Sequence, residues 1–234
     1  TFAALAKKMT GGSPSLTDDP EAKEDLVVLG SDASNPFTAR LVLEKRLEIP
    51  KIRAGSDDYF MQSLEENGRT ILILGGGRPR ALLYAVYAFF ESKGCAYFWD
   101  GDVIPHAVSL DISGYSIFES PRFEYRGLRY FAHRSLHRFQ AEHWSWPDWK
   151  NELDYLLKKR FNLFMLRIGL DDLFQRAFPE IVKNPPEDRR DPDDPERSYD
   201  DRTIFWGLKD RARLRKKILD YAKEHDLIHP EDMG

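Results

Sequence analysis

YRGLRYFAHRSLHRFQAEHWSWPDWKNELDYLLKKRFNLFMLRIGLDDLFQRAF, residues 125–178, reads as strand, aromatic loop, helix, strand, then a polar loop that opens another helix. Tyr125 to Phe131 is short, aromatic and apolar, as a buried strand is. Ser145 is placed to cap a helix, Asp148 completes a capping-box variant, and Pro147 sits in the first turn, where its missing N–H is harmless. Trp149, Leu153, Leu156 and Leu157 then recur at i, i+4, i+7 and i+8, which makes one apolar stripe. Lys158, Lys159 and Arg160 end the helix where positive charge suits its dipole. Leu163 to Ile168 is almost continuously apolar, the pattern of a parallel strand covered on both faces. The spacing predicts a βαβ unit. His133, Arg134 and His137 follow its first strand and Asp171 and Asp172 its second, at the edge where parallel α/β architectures bind ligands.

Upstream, Phe2, Leu5, Ala6 and Met9 have helical spacing, Leu26 to Leu29 reads as a strand, and Asn35–Pro36 reads as a cap opening a helix to about Leu47. Tyr59 to Leu64 and Thr70 to Leu74 flank Glu66-Asn67-Gly68, which predicts an antiparallel hairpin, with a helix over 58–66 as the alternative. Gly75-Gly76-Gly77-Arg78-Pro79 leads into a helix carrying Leu83, Val86, Tyr87 and Phe90, which Gly94 stops. Cys95 to Trp99 and the alternating Val108, Leu110 and Ile112 read as two further strands. Residues 185–202, PPEDRRDPDDPERSYDDR, form a charged, proline-rich loop, and Trp206 to Glu224 a helix with Leu214, Ile218, Tyr221 and Ala222 on one face.

Composition bounds the function. Lys and Arg total 35 against 39 Asp and Glu, a net charge of −4, so no global field favours nucleic acid or an anionic membrane. No apolar run is long enough to span a bilayer, and no signal peptide is visible. The single cysteine, Cys95, excludes an internal disulfide and a cysteine-rich metal site. Aromatic residues make up 13% of the chain, enough for sugar-stacking surfaces but also ordinary core material.

Each sharp motif has a plainer reading. Gly75–Arg80 resembles a phosphate-cradling turn but lacks both P-loop and G-x-G-x-x-G order, so a tight strand-to-helix connection fits it better. His133, His137 and His143 lack an H-E-x-x-H frame, and no metal is expected; substrate hydrogen bonding by His133, Arg134 or His143 is weighed against surface placement. Trp144 and Trp146 suit sugar stacking or packing equally, whereas Trp149 belongs to the helix stripe. Asp171 is left open between gripping a sugar hydroxyl and serving as a helix N-terminal acid, and Asp172 reads as a helix-terminal acid. The aspartates of 191–201 lack EF-hand spacing and read as a solvated loop.

Two segments resemble known families. ILILGGGRPRALLYAVYAFFESKGCAYFWDGDVIP is similar to the non-catalytic α+β domain that precedes the barrel in glycoside hydrolases such as α-glucuronidases and β-hexosaminidases. HWSWPDWKNELDYLLKKRFNLFMLRIGLDDLFQRAF resembles the barrel opening of the family-89 α-N-acetylglucosaminidases, through Trp146, Trp149, Glu152, Asp154, Asn162, Gly169, Gln175 and Arg176. Gly169 is followed by Leu170-Asp171-Asp172 where that family has Gln-Glu-Ala, and Phe161 replaces its glycine. The resemblance implies an α/β chain: an α+β domain with a mixed sheet over 1–121, then the first units of a (β/α)8 barrel over 122–234. Such a barrel takes about 250 residues, so it is expected to be incomplete here. The family's two catalytic glutamates lie on later strands, so no catalytic residue is assigned in this chain.

The resemblance further implies retaining hydrolysis of an O-glycosidic bond without a cofactor, on a carbohydrate substrate, in an extracellular, periplasmic or lysosomal setting. The rest of the barrel would be the main partner, with neither nucleic acid nor membrane. His133, Arg134, His143, Trp144, Trp146 and Asp171 are the substrate-binding candidates. A non-catalytic carbohydrate-binding or scaffold domain is the alternative, and a nucleotide-binding domain built on the glycine turn is a third.

Overall fold

The structure, a computed structural model, describes residues 1–17, 19, 22–106, 109–128, 144–164, 166, 177–180, 187–188, 205–206 and 208–228. It is mixed α/β and divides into two compact units. The first comprises Thr1–Glu124 with Leu157–Arg160, the second Tyr125–Leu156 with Phe161–Gly234.

The first unit is built on a mixed four-stranded sheet, and its centre is set by a two-residue turn. Asn67 and Gly68 have φ of 52° and 80°, the left-handed pair that a type I′ turn needs. They join β2 (Tyr59–Glu66) to β3 (Arg69–Gly76) in an antiparallel register from Glu66↔Arg69 to Tyr59↔Gly76. The hairpin holds and the helix alternative does not. β1 (Leu26–Leu29) lies parallel to β3 on its other side, and β6 (Ser116–Glu119) pairs antiparallel with β2, giving the order β1-β3-β2-β6. Ile71, Leu72, Ile73 and Leu74 are all fully buried, because β3 is covered on both faces. Each such side chain contributes about 1.5–3 kcal/mol relative to exposure.

One face is covered by α2 (Pro36–Leu43), whose Leu41 packs with Val28, Leu47, Phe60, Ile71 and Ile73. Asn35 caps it as predicted, accepting the N–H groups of Phe37 at 2.9 Å and Thr38 at 3.3 Å. The helix ends at Leu43, short of the predicted Leu47. Lys45 turns left-handed, φ 57°, and the Lys45 and Arg46 N–H groups return to the Val42 and Leu41 carbonyls. The opposite face is covered by α3 (Pro79–Ser92), with Tyr84 edge-on to Tyr59 at 6.5 Å. On α3 rests α1 (Phe2–Thr10), through Phe2 against Phe89 and Phe90.

After Gly94 the chain forms a small hairpin of β4 (Ala96–Phe98) and β5 (Gly101–Val103). The strand predicted at 108–112 is corrected: residues 109–115 are irregular and the strand is β6, several residues later. Ser63 explains the shift. Its hydroxyl donates to the Ile112 carbonyl at 2.5 Å and accepts the Tyr115 N–H at 3.0 Å, while its own N–H donates to the Tyr115 carbonyl at 2.8 Å, so regular pairing begins only beyond Tyr115.

In the second unit the backbone at Gly127, Leu163 and Ile228 pairs in parallel, Gly127 with Leu163 and Leu163 with Ile228. A Cβ on Gly127 would lie 2.7 Å from the Leu163 carbonyl oxygen, so only glycine allows this approach. Between the first two segments runs α4 (Trp146–Lys158), and between the last two α5 (Leu208–Glu224). Residues Glu187–Asp188 (β7) and Phe205–Trp206 (β8) pair in parallel, so strand structure stands within the predicted 185–202 loop and at the predicted start of the last helix.

Candidate functional site

Parallel segments whose connections contain helices set their carboxyl ends on one edge, the edge predicted to hold a ligand. The residues after these segments include His133, Arg134, His143 and Asp171, which lie outside the described residues, as do His137, Asp172, Gly169, Gln175 and Arg176.

The two described candidates are engaged by protein. Trp144 is 2% exposed and meets Trp149 edge-on at 5.0 Å, so neither ring face is open to a sugar. Of the two readings held for it, stacking and packing, its burial fits packing. Trp146 is half-buried at the start of α4, where Tyr221 of α5 meets its ring edge-on at 5.4 Å and the Lys217 ammonium stands 4.7 Å from the ring centroid. Its position is a seam between two helices.

The same seam explains Asp154. Its carboxylate accepts the Lys150 ammonium at 2.6 Å and the Tyr221 hydroxyl at 2.5 Å, and the His225 ring stacks on Tyr221 at 4.0 Å. Lys150 and Asp154 have the i, i+4 spacing that was legible in the sequence. The reach to Tyr221, distant along the chain, was not. Ser145 and Asp148 form the predicted capping pair: the Ser145 N–H and hydroxyl donate to Asp148 at 2.8 and 2.7 Å.

In the first unit the glycine turn is closely packed. A Cβ on Gly75 would sit 2.2 Å from the Phe60 ring, one on Gly76 2.6 Å from the Ala81 carbonyl carbon, and one on Gly77 2.5 Å from the Arg53 carbonyl oxygen. Arg80 is buried and pairs with buried Asp57 at 2.6 Å, while Arg78 donates to the Gly55 carbonyl at 3.2 Å. Both arginines that a phosphate would need are committed to protein, and the glycines serve close approach. The neighbouring Asp58 is 2% exposed. Burial alone would raise its carboxyl, but hydrogen bonds from Arg53, Ser120 and Ser56 outweigh that and hold it at about 2. It is an anchored anion with no proton to exchange near neutrality.

Two other features bear on chemistry. An open groove of about 670 Å³ runs along β1, with Leu16, Leu26, Leu29 and Phe37 supplying apolar walls and Arg40 a charge. Among the described residues its lining carries a single carboxylate, Asp19, and no acid–base pair of the kind hydrolysis needs. Cys95 is buried with its thiol 3.6 Å from the Met9 sulfur, and burial pushes its pKa up, which disfavours thiolate chemistry. Among the described residues no cluster of His, Cys, Asp or Glu is placed for a metal ion, and no helix is long and apolar enough to cross a membrane. No family model matches the chain, and no curated protein matches it.

Proposed function

We propose that the chain carries the α+β domain and opening β/α units of a glycoside hydrolase resembling the α-N-acetylglucosaminidases. The observation that supports this reading is the parallel order Gly127–Leu163–Ile228 with α4 and α5 as the intervening helices. A barrel begins in that way, and it brings the loops after the first two segments to one edge. On this reading His133, Arg134, His143 and Asp171 supply hydrogen bonds to sugar hydroxyls, and Trp146 braces the helices behind them. Two carboxylates on later barrel strands, about 5 Å apart, would attack and protonate the glycosidic bond with retention. The chain's own part is to start the cylinder and form one wall of the pocket.

The test compares the 234-residue chain with the product of the longest reading frame that contains it, on aryl α-N-acetylglucosaminides and related aryl glycosides. Hydrolysis by the longer product alone supports the proposal. Glycan binding by the chain without hydrolysis by either product would instead favour the scaffold reading. Neither binding nor hydrolysis would remove the carbohydrate assignment.

A further inference from the structure

The chain contains five asparagines, and their surroundings divide them sharply. Asn35 and Asn184 precede prolines, which have no backbone N–H to act as a nucleophile. Asn162 is buried, with its side-chain oxygen bonded to the Arg126 N–H, and Asn151 lies within α4. Asn67 differs from all four. It and Gly68 are exposed at the tip of the β2–β3 hairpin, and glycine has no Cβ to crowd an attack on the preceding side chain. Among the described contacts neither the Asn67 side-chain amide nor the Gly68 N–H has a hydrogen bond.

We propose that Asn67-Gly68 is a site of spontaneous covalent modification, where the chain deamidates itself through a cyclic imide. The Gly68 backbone nitrogen attacks Asn67 Cγ. A new C–N bond closes a five-membered succinimide, the Cγ–Nδ2 bond breaks, and ammonia leaves with the proton from Gly68. Water then opens the ring. Addition at the former side-chain carbonyl gives aspartate, and addition at the main-chain carbonyl gives isoaspartate. No oxidant or cofactor is involved.

The hairpin sets the rate. Asn67 sits in the left-handed conformation of the turn, φ 52°, and the ring closes only when rotation about its Cα–C bond brings the Gly68 nitrogen onto Cγ, a rotation that the closed two-residue turn restrains, so the reaction waits on opening of the turn. It is therefore slower in the folded chain than in a short peptide of the same sequence, yet faster than at the other four asparagines. The products differ in consequence. Aspartate adds only a charge beside Glu65 and Glu66. Isoaspartate adds a methylene to a two-residue loop whose length fixes the β2–β3 register.

The test is to hold the full chain at mildly alkaline pH and map its protease peptides by mass over time. The expected result is a gain of one mass unit on the Asn67 peptide, resolved into aspartyl and isoaspartyl forms, while peptides carrying Asn35, Asn151, Asn162 and Asn184 are unchanged. Asn67→Gly, which keeps a left-handed turn, should fold and abolish the shift. An unchanged Asn67 peptide at a time when the matching synthetic peptide has fully converted would overturn the proposal, as would earlier conversion of any other asparagine.

Discussion

Asn162 holds Arg126 twice: its backbone N–H donates to the Arg126 carbonyl at 2.9 Å, and its side-chain Oδ1 accepts the Arg126 N–H at 2.8 Å. The side chain is 1% exposed and stands in for a ladder bond between the first two parallel segments. Asn162→Leu keeps the volume but takes the acceptor from a backbone donor, which costs about 1–3 kcal/mol. Urea unfolding should show a lower midpoint. An unchanged midpoint would mean that water serves Arg126 equally well.

Asp58 ties part of the acid stability to one buried carboxyl. Its folded value of about 2 lies below its ordinary 3.8, so its stabilisation is present in full above the ordinary value. That stabilisation is lost as pH falls toward 2, because the unfolded chain then binds the proton more readily. The amount is about 2 kcal/mol. Asp58→Asn should lower the melting temperature at neutral pH and flatten its decline between these limits, as thermal unfolding across a pH series would show.

Gly76 has ordinary backbone torsion and is confined by space alone. An added methyl meets the α3 backbone at Ala81 and Leu82, both 2.6 Å away, and backbone cannot swing aside. Gly76→Ala should cost about 1–3 kcal/mol through overpacking. Gly12→Ala, whose new methyl would meet only the Thr10 hydroxyl at 3.6 Å, should be close to neutral. Comparable losses in the two variants would contradict the packing argument.

The α4–α5 seam separates two roles for Trp146. If its ring serves packing against Tyr221 and Lys217, Trp146→Ala lowers stability by about 2 kcal/mol, and Tyr221→Phe by about 1 kcal/mol through the lost bond to Asp154. A sugar platform would behave otherwise, losing glycan retention with the melting temperature unmoved. Differential scanning calorimetry and glycan-array binding on the two variants decide between them.

Local chemistry was legible wherever one or two residues determine the backbone. Asn67-Gly68 announces its turn, Asn35-Pro36 its helix start, and Ser145 with Asp148 its cap. Legibility failed where a distant group intervened. Alternation at Val108, Leu110 and Ile112 suggested a strand, but the Ser63 hydroxyl bonds the Ile112 carbonyl and the Tyr115 N–H, and the regular pairing starts at Ser116. Lys45 ended α2 early in a left-handed conformation that no glycine advertised. At the candidate site, Trp144 carries the same ring that a sugar platform would use, and only its burial reveals that it is core.

The sheet order has a consequence for how the first unit assembles. β2 and β3 are neighbours in sequence as well as in space, whereas β1 and β6 reach the sheet across long intervening stretches. Closing those longer connections is entropically later work, so the turn-joined pair with α3 is the natural nucleus and the two rim strands dock last. Opening should retrace that path. Deuterium should enter the outward amides of Leu26–Leu29 and Ser116–Glu119 within the earliest exchange times, and those of Ile71–Leu74 only when the whole unit unfolds.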